Sequence, residues 1–282
     1  MMDWVLAPLA YAFMQYGLIA ALMVGILCSI IGCYVVLRSM AFLGDAMAHA
    51  ILPGVAVAYL LHGNLTVGAL IAAVLVALGI GFVSHKGTIK EDTTIGIIFT
   101  AALALGIALI SSIRTYAVDL THILFGNVLG VGERELWMTG IIGSIVLIIT
   151  LLCYKPFLVI SFDPILAQTM RLPVEFFRNL MLILLALTIV VSMQTVGVGL
   201  VAAMLVTPAT TSYLLTYRLP TMMALSALIG ALSSLIGLYT SYYLNISSGS
   251  AIVLVATIFF LLAFLFSPRQ RMLRKGSSPC AS

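Results

Sequence analysis

The stretch Gly44-Asp45-Ala46-Met47-Ala48-His49-Ala50-Ile51-Leu52-Pro53-Gly54 decides how this chain is read. Asp45 and His49 are four residues apart, so one helical turn stacks them on a single face. The residues around them, 40–61, are otherwise almost wholly apolar and long enough to cross a bilayer. An ionisable group held at that depth costs about 2.5–3.5 kcal/mol on insertion scales, so such groups characteristically face a cavity or a pathway. A carboxylate and an imidazole on one face also make half of a ligand shell for a divalent metal. The alternative left open by the spacing is a hydrogen-bonded pair that only locks two helices together.

Outward from this stretch the chain stays apolar. Of 282 residues, 63% are hydrophobic and 8% charged, against ~25% charged in ordinary soluble domains. This composition excludes a soluble core and defines a polytopic, all-α transmembrane bundle. Candidate spans are 14–37, 41–61, 65–83, 94–112, 136–154, 179–193, 197–217, 221–244 and 249–266. The sixth is short and the second is open to a break at Pro53-Gly54, so the count is eight or nine. No Lys or Arg precedes Arg38 and the first apolar run fills a whole span, which argues against a cleavable signal.

Basic residues set the orientation. With nine spans and the C-terminus inside, the inner segments hold Arg38, Lys86, Lys90, Lys155, Arg171, Arg178, Arg218, Arg269, Arg271, Arg274 and Lys275, leaving only Arg114 and Arg134 of the thirteen basic residues outside. Residues 1–266 then form the membrane domain and 267–282 a basic cytoplasmic tail. The net charge of +4 lies in span-flanking segments and implies no nucleic-acid partner. Cys28, Cys33 and Cys153 lie in apolar runs and Cys280 in the tail, a pattern of packed thiols rather than a disulfide framework.

Three further features carry information. Pro53 and Pro208 each fall inside an apolar run, and helices broken beside polar residues are a feature of transport sites. Along the eighth span, Ser226, Gly230 and Ser234, with Ser233, Gly237 and Ser241 beside them, form small-residue stripes suited either to a subunit interface or to packing within the chain. The inner segment 155–178 contains Asp163-Pro164, an N-cap followed by a first-turn proline, predicting a short helix over 164–171 that ends before Pro173. A helix of two turns is marginal alone, which suggests docking against a partner.

No phosphate loop of the form GxxxxGK[ST] and no HExxH metalloprotease motif occurs. A second intramembrane Asp for an aspartyl protease is also missing, as is a second intramembrane His for bis-histidine haem ligation.

Leu37-Arg38-Ser39-Met40, the Gly44–Gly54 stretch with Val55-Ala56, Asp119-Leu120-Thr121-His122-Ile123-Leu124-Phe125-Gly126-Asn127, Phe162-Asp163-Pro164 with Ala167, and Met204-Leu205-Val206-Thr207-Pro208-Ala209 occur in this order. Together they resemble the membrane permease subunit of manganese/zinc/iron ABC importers, over nearly the whole chain. The resemblance implies a type II ABC-importer-like permease in the cytoplasmic membrane of a prokaryote, acting as a homodimer with a central pathway. It also implies a separate cytoplasmic ATPase dimer and an extracytoplasmic metal-binding protein. Asp45 and His49 would meet the metal; Asp163, Pro164, Ala167 and Arg171 would couple to the ATPase, with Arg171 standing where the family often has glycine. The chain itself would be no enzyme and hold no permanent cofactor. Its cargo would be Mn(II), with Zn(II) or Fe(II) as alternatives, since residues 122–127 look more like the manganese branch. The competing mechanism is a proton-coupled secondary metal transporter with Asp45 as the proton site. A non-transporting structural or receptor subunit is the third possibility.

Overall fold

The structure, a computed structural model, describes residues 11–85, 91–111 and 128–267. Asp3, Lys86, Lys90, Arg114, the 119–127 motif and the tail from residue 268 onward lie outside the described residues. Among the described residues every regular element is helical. They are α1 (Ala12–Leu37), α2 (Leu43–Ala50), α3 (Leu52–Leu60), α4 (Leu65–His85), α5 (Glu91–Ser111), α6 (Glu133–Leu152), α7 (Tyr154–Phe162), α8 (Pro164–Thr169), α9 (Val174–Val196), α10 (Val198–Leu215), α11 (Leu219–Leu244) and α12 (Ser248–Phe266). With α2 and α3 taken as one span, nine spans in the described residues are long and apolar enough to cross a membrane. The chain is a multi-pass membrane protein. The most buried spans are α1, α9 and α2–α3, while α4, α5, α6 and α12 turn most of their surface outward.

Small residues set how closely the spans approach. Gly25 of α1 lies against the backbone of Gly230 in α11. On either side of that contact Ser226 Oγ donates to the Ser29 carbonyl and Ser234 Oγ to the Ala21 carbonyl, each at 2.9 Å. In the second stripe, Gly237 presses on Ile252 of α12. Both stripes therefore serve packing within the chain. A similar crossing joins α3 to α4, where Gly54 and Gly68 meet backbone to backbone.

The expected helix breaks fall differently. The second span is interrupted at Ile51, two residues before Pro53-Gly54, and α3 then starts with Pro53 in its first turn. A proline there gives up an N–H that would have had no partner in the helix. Pro208, expected to interrupt its span, does not: α10 runs unbroken from Val198 to Leu215 with Pro208 buried inside it. The missing N–H frees one carbonyl turn, a loss that membrane helices tolerate when neighbours pack around it. The uncapped discontinuity in this part of the chain is instead at Gly197, between α9 and α10, at φ 87° and ψ 160°.

The 155–178 segment is also more ordered than a loop. Residues 154–162 form α7, whose Phe157 is buried with its ring edge-on to Tyr34 and to Phe177, centroids 5.6 and 6.1 Å apart. The sixth span starts at Val174 and has 23 residues, longer than its apolar run suggested because Glu175 and Arg178 lie in its first turns. Arg178 Nη2 bonds Glu175 at 2.8 Å and the carbonyl of Gly81 at 2.9 Å, tying α9 to α4.

Candidate metal pathway

Helix α2 is built from small and flexible residues, and Leu43, Gly44, Ala46, Met47, Ala48 and Ala50 are all buried. Gly44 backs onto Leu205 of α10. The two residues of α2 that are not buried are Asp45 and His49, 45% and 32% exposed. The burial of the other six residues fixes the face, and the four-residue spacing puts both polar groups on it. Phe99 of α5 stands behind the imidazole, ring centroids 6.3 Å apart.

His49 Nε2 and Asp45 Oδ1 are 3.7 Å apart. That exceeds hydrogen-bond range, so the two side chains are not hydrogen-bonded to each other. Two donors at this separation can both reach one ion through bonds of about 2.0–2.2 Å, at an angle wider than tetrahedral. Both line a cleft of about 750 Å³ with Val196, Val198 and Gly199 at the α9–α10 junction and with Ser247, Ser250 and Leu254 at the start of α12. Among the described residues no third His, Cys, Asp or Glu joins them. Among the described residues the cleft is thus lined by one carboxylate and one imidazole.

The second candidate region is α8. Asp163 caps it as expected, accepting from the N–H groups of Ile165 and Leu166 at 2.9 and 3.0 Å, with Pro164 in its first turn. The helix ends at Thr169, short of the expected residue 171. Arg171 is exposed and left-handed at φ 57°, with its N–H bonded to the Gln168 carbonyl and that of Leu172 to Ala167. That is a Schellman ending with arginine in the position usually filled by glycine. Ala167 is fully buried and faces the chain's own interior, whereas Ile165, Leu166 and Met170 are exposed. The sequence reading missed these three residues; an apolar surface on a capped helix between spans was the available signal. Pro53 borders the bend between α2 and α3, where Gly106 of α5 closes against it, and Pro208 lies in the buried body of α10.

A helical bundle with nine candidate spans in the described residues and a cleft lined by Asp45 and His49 is an architecture suited to membrane transport. Residues 10–267 match the ABC 3 transport family, and the chain belongs to it. It is 50% identical over 267 residues to the manganese transport system membrane protein MntC of Halalkalibacterium halodurans, covering 95% of this chain and 91% of that protein. It is 44% identical to the manganese import system permease protein ScaB of Streptococcus parasanguinis, covering 93% of each. A relative named as a probable iron transport system membrane protein, from Haemophilus influenzae, is 42% identical, with 95% and 98% covered. Among solved structures, PsaBC from Streptococcus pneumoniae in complex with Fab superposes with a TM-score of 0.85 at 40% identity, covering 98% of this chain and 99% of that one. A metal-chelate type ABC transporter in an inward-facing conformation shares the fold at a TM-score of 0.70 and 16% identity, covering 89% and 85%.

Proposed function

We propose that this chain is the permease subunit of an ATP-driven importer that moves a divalent transition metal, Mn(II) ahead of Zn(II) or Fe(II), across the cytoplasmic membrane. The observation that carries this reading is the half-exposed Asp45–His49 pair, 3.7 Å apart in a cleft of an otherwise apolar bundle. Two copies about a twofold axis would offer two carboxylates and two imidazoles, a mixed oxygen and nitrogen set suited to Mn(II), Fe(II) or Zn(II). The relatives named for manganese favour that ion, and the one named for iron keeps Fe(II) in play.

The ATPase dimer would dock on the face carrying α8, through exposed Ile165, Leu166 and Met170, with Asp163 holding the helix start and Arg171 its end. A metal-binding protein would deliver cargo on the opposite face. The excess of basic residues favours α8 and the C-terminus on the cytoplasmic side. The proton-coupled alternative needs a carboxylate to relay protons across the membrane, and among the described residues that line the cleft Asp45, in the first turn of α2, is the one acidic residue.

The test is uptake of labelled manganese into vesicles that contain the assembled transporter. With ATP supplied and the proton gradient collapsed, uptake is expected to continue. Uptake that follows the gradient and ignores ATP would contradict the assignment.

A further inference from the structure

We propose that the backbone carbonyl of Val196, presented by the chain break at Gly197, is an additional oxygen ligand for the cation held by Asp45 and His49. This inference rests on the metal-pathway reading and adds to it a feature that favours Mn(II).

The break between α9 and α10 is a single residue long, and Gly197 adopts φ 87° and ψ 160°, a region essentially reserved for glycine. Connections between helices normally run over the protein surface, because their backbone groups need water. This one does not. Ser192, five residues earlier, meets Cys28 of α1 at 3.4 Å, and Cys28 lies 16 residues from the described start of that helix. At 1.5 Å per residue the break sits only about 7 Å beyond that contact, while α1 continues for about 24 Å. Thr195, Val196, Gly197 and Val198 are all buried. The junction is therefore deep in the bundle.

Irregular backbone at such depth is tolerated where it is enclosed by protein or lines a cavity. The last bond of the α9 ladder runs from the Gly197 N–H to the Met193 carbonyl, at 2.9 Å. The carbonyls of Gln194, Thr195 and Val196 have no further turn of that helix to accept from. The Thr195 hydroxyl does not close the end, since it donates back to the carbonyls of Val191 and Ser192. Of these three residues Val196 is the one that lines the cleft with Asp45 and His49.

The carbonyl end of a helix carries partial negative charge, and unwound carbonyls at broken membrane helices bind cations. A neutral carbonyl oxygen is a hard donor that suits Mn(II) better than Zn(II), whose preference runs to nitrogen and sulfur. Adding one carbonyl per chain raises the oxygen share of the shell without adding charge to the bilayer interior. The break is then a specificity element, and Gly197 the residue whose conformation permits it.

The experiment uses the intact transporter, permease with its ATPase, in nanodiscs with Mn(II) as the bound probe. The permease is produced with valine labelled by ¹³C at the carbonyl carbon, and electron–nuclear double resonance on the Mn(II) signal reads which nuclei lie within bonding range. Nitrogen coupling from His49 together with a ¹³C coupling is the expected result. Val196→Ile keeps an aliphatic side chain but removes the label at that position, and the ¹³C coupling should disappear. Nitrogen coupling without any ¹³C coupling overturns the carbonyl ligand and leaves the Asp45–His49 site standing. A ¹³C coupling that survives in Val196→Ile also overturns it. Loss of both couplings removes the metal site itself, and this inference with it.

Discussion

Arg171 follows α8 at φ 57°, where its Cβ crowds the backbone and a glycine would not. Ser39, His62 and Asn245 take the same conformation within two residues of the ends of α1, α3 and α11, so the chain repeatedly ends helices with non-glycine residues. Because Arg171 is exposed and its position demands only backbone, Arg171→Gly should raise permease stability by roughly 1 kcal/mol. A higher thermal midpoint in detergent would show it, and a lower one would mean that the side chain holds the segment. At this scale the sequence is informative wherever a residue contrasts with its neighbours. Asp45 and His49 stood out because the residues around them are apolar, and Asp163 because Pro164 follows it. What the spacing could not show was that the two side chains stand 3.7 Å apart, beyond hydrogen-bond range. That distance depends on the burial of the other six residues of α2 and on Phe99 behind the imidazole.

Helix α8 carries two kinds of residue that a sequence string does not separate. Ile165, Leu166 and Met170 face outward, while Ala167 is sealed against the chain. Leu166→Asp should therefore leave the permease stable but abolish both co-purification of the ATPase and metal uptake. Ala167→Arg should act on the permease itself, since an unpaired buried charge costs about 3–5 kcal/mol, and its thermal midpoint should fall. Equal stability in both variants, with the ATPase still bound to Leu166→Asp, would remove α8 from the docking surface. The same scale explains the misplaced breaks. Proline is visible in a sequence, so Pro208 was read as an interruption although its neighbours close around the helix. The Gly197 boundary was visible too, as the start of the seventh span. Its depth was not, because depth is set by how α9 meets α1 through Ser192 and Cys28. Segment 155–178 was read as an inner loop between two spans with one short helix after Asp163-Pro164; the burial of Phe157 against Tyr34 is a tertiary contact with no local signature.

Across the whole molecule, hydropathy located the spans, eight or nine by the sequence and nine in the described residues, with the ends of the sixth displaced by several residues; lipid leaves a chain no other way to satisfy its backbone. Orientation rests on eleven of thirteen basic residues sharing one side. A cysteine placed in 155–178 or in the tail should react in intact cells only with membrane-permeant reagents, and one placed in 115–118 with impermeant reagents as well. Labelling of 155–178 from outside would reverse the molecule and move α8 away from the ATPase. The central claim concerns what two facing copies would do together: each would bring Asp45 and His49 to a cleft where, among the described residues, no third such ligand joins them. ATP-driven uptake of labelled manganese by the reconstituted transporter tests it most directly, comparing the native chain with Asp45→Ala and His49→Ala. Both variants should assemble with the ATPase and hydrolyse ATP, yet uptake should fall to background, since each substitution would remove half of the four side-chain ligands proposed for the pair of chains. Uptake at the native rate in either variant would contradict the account.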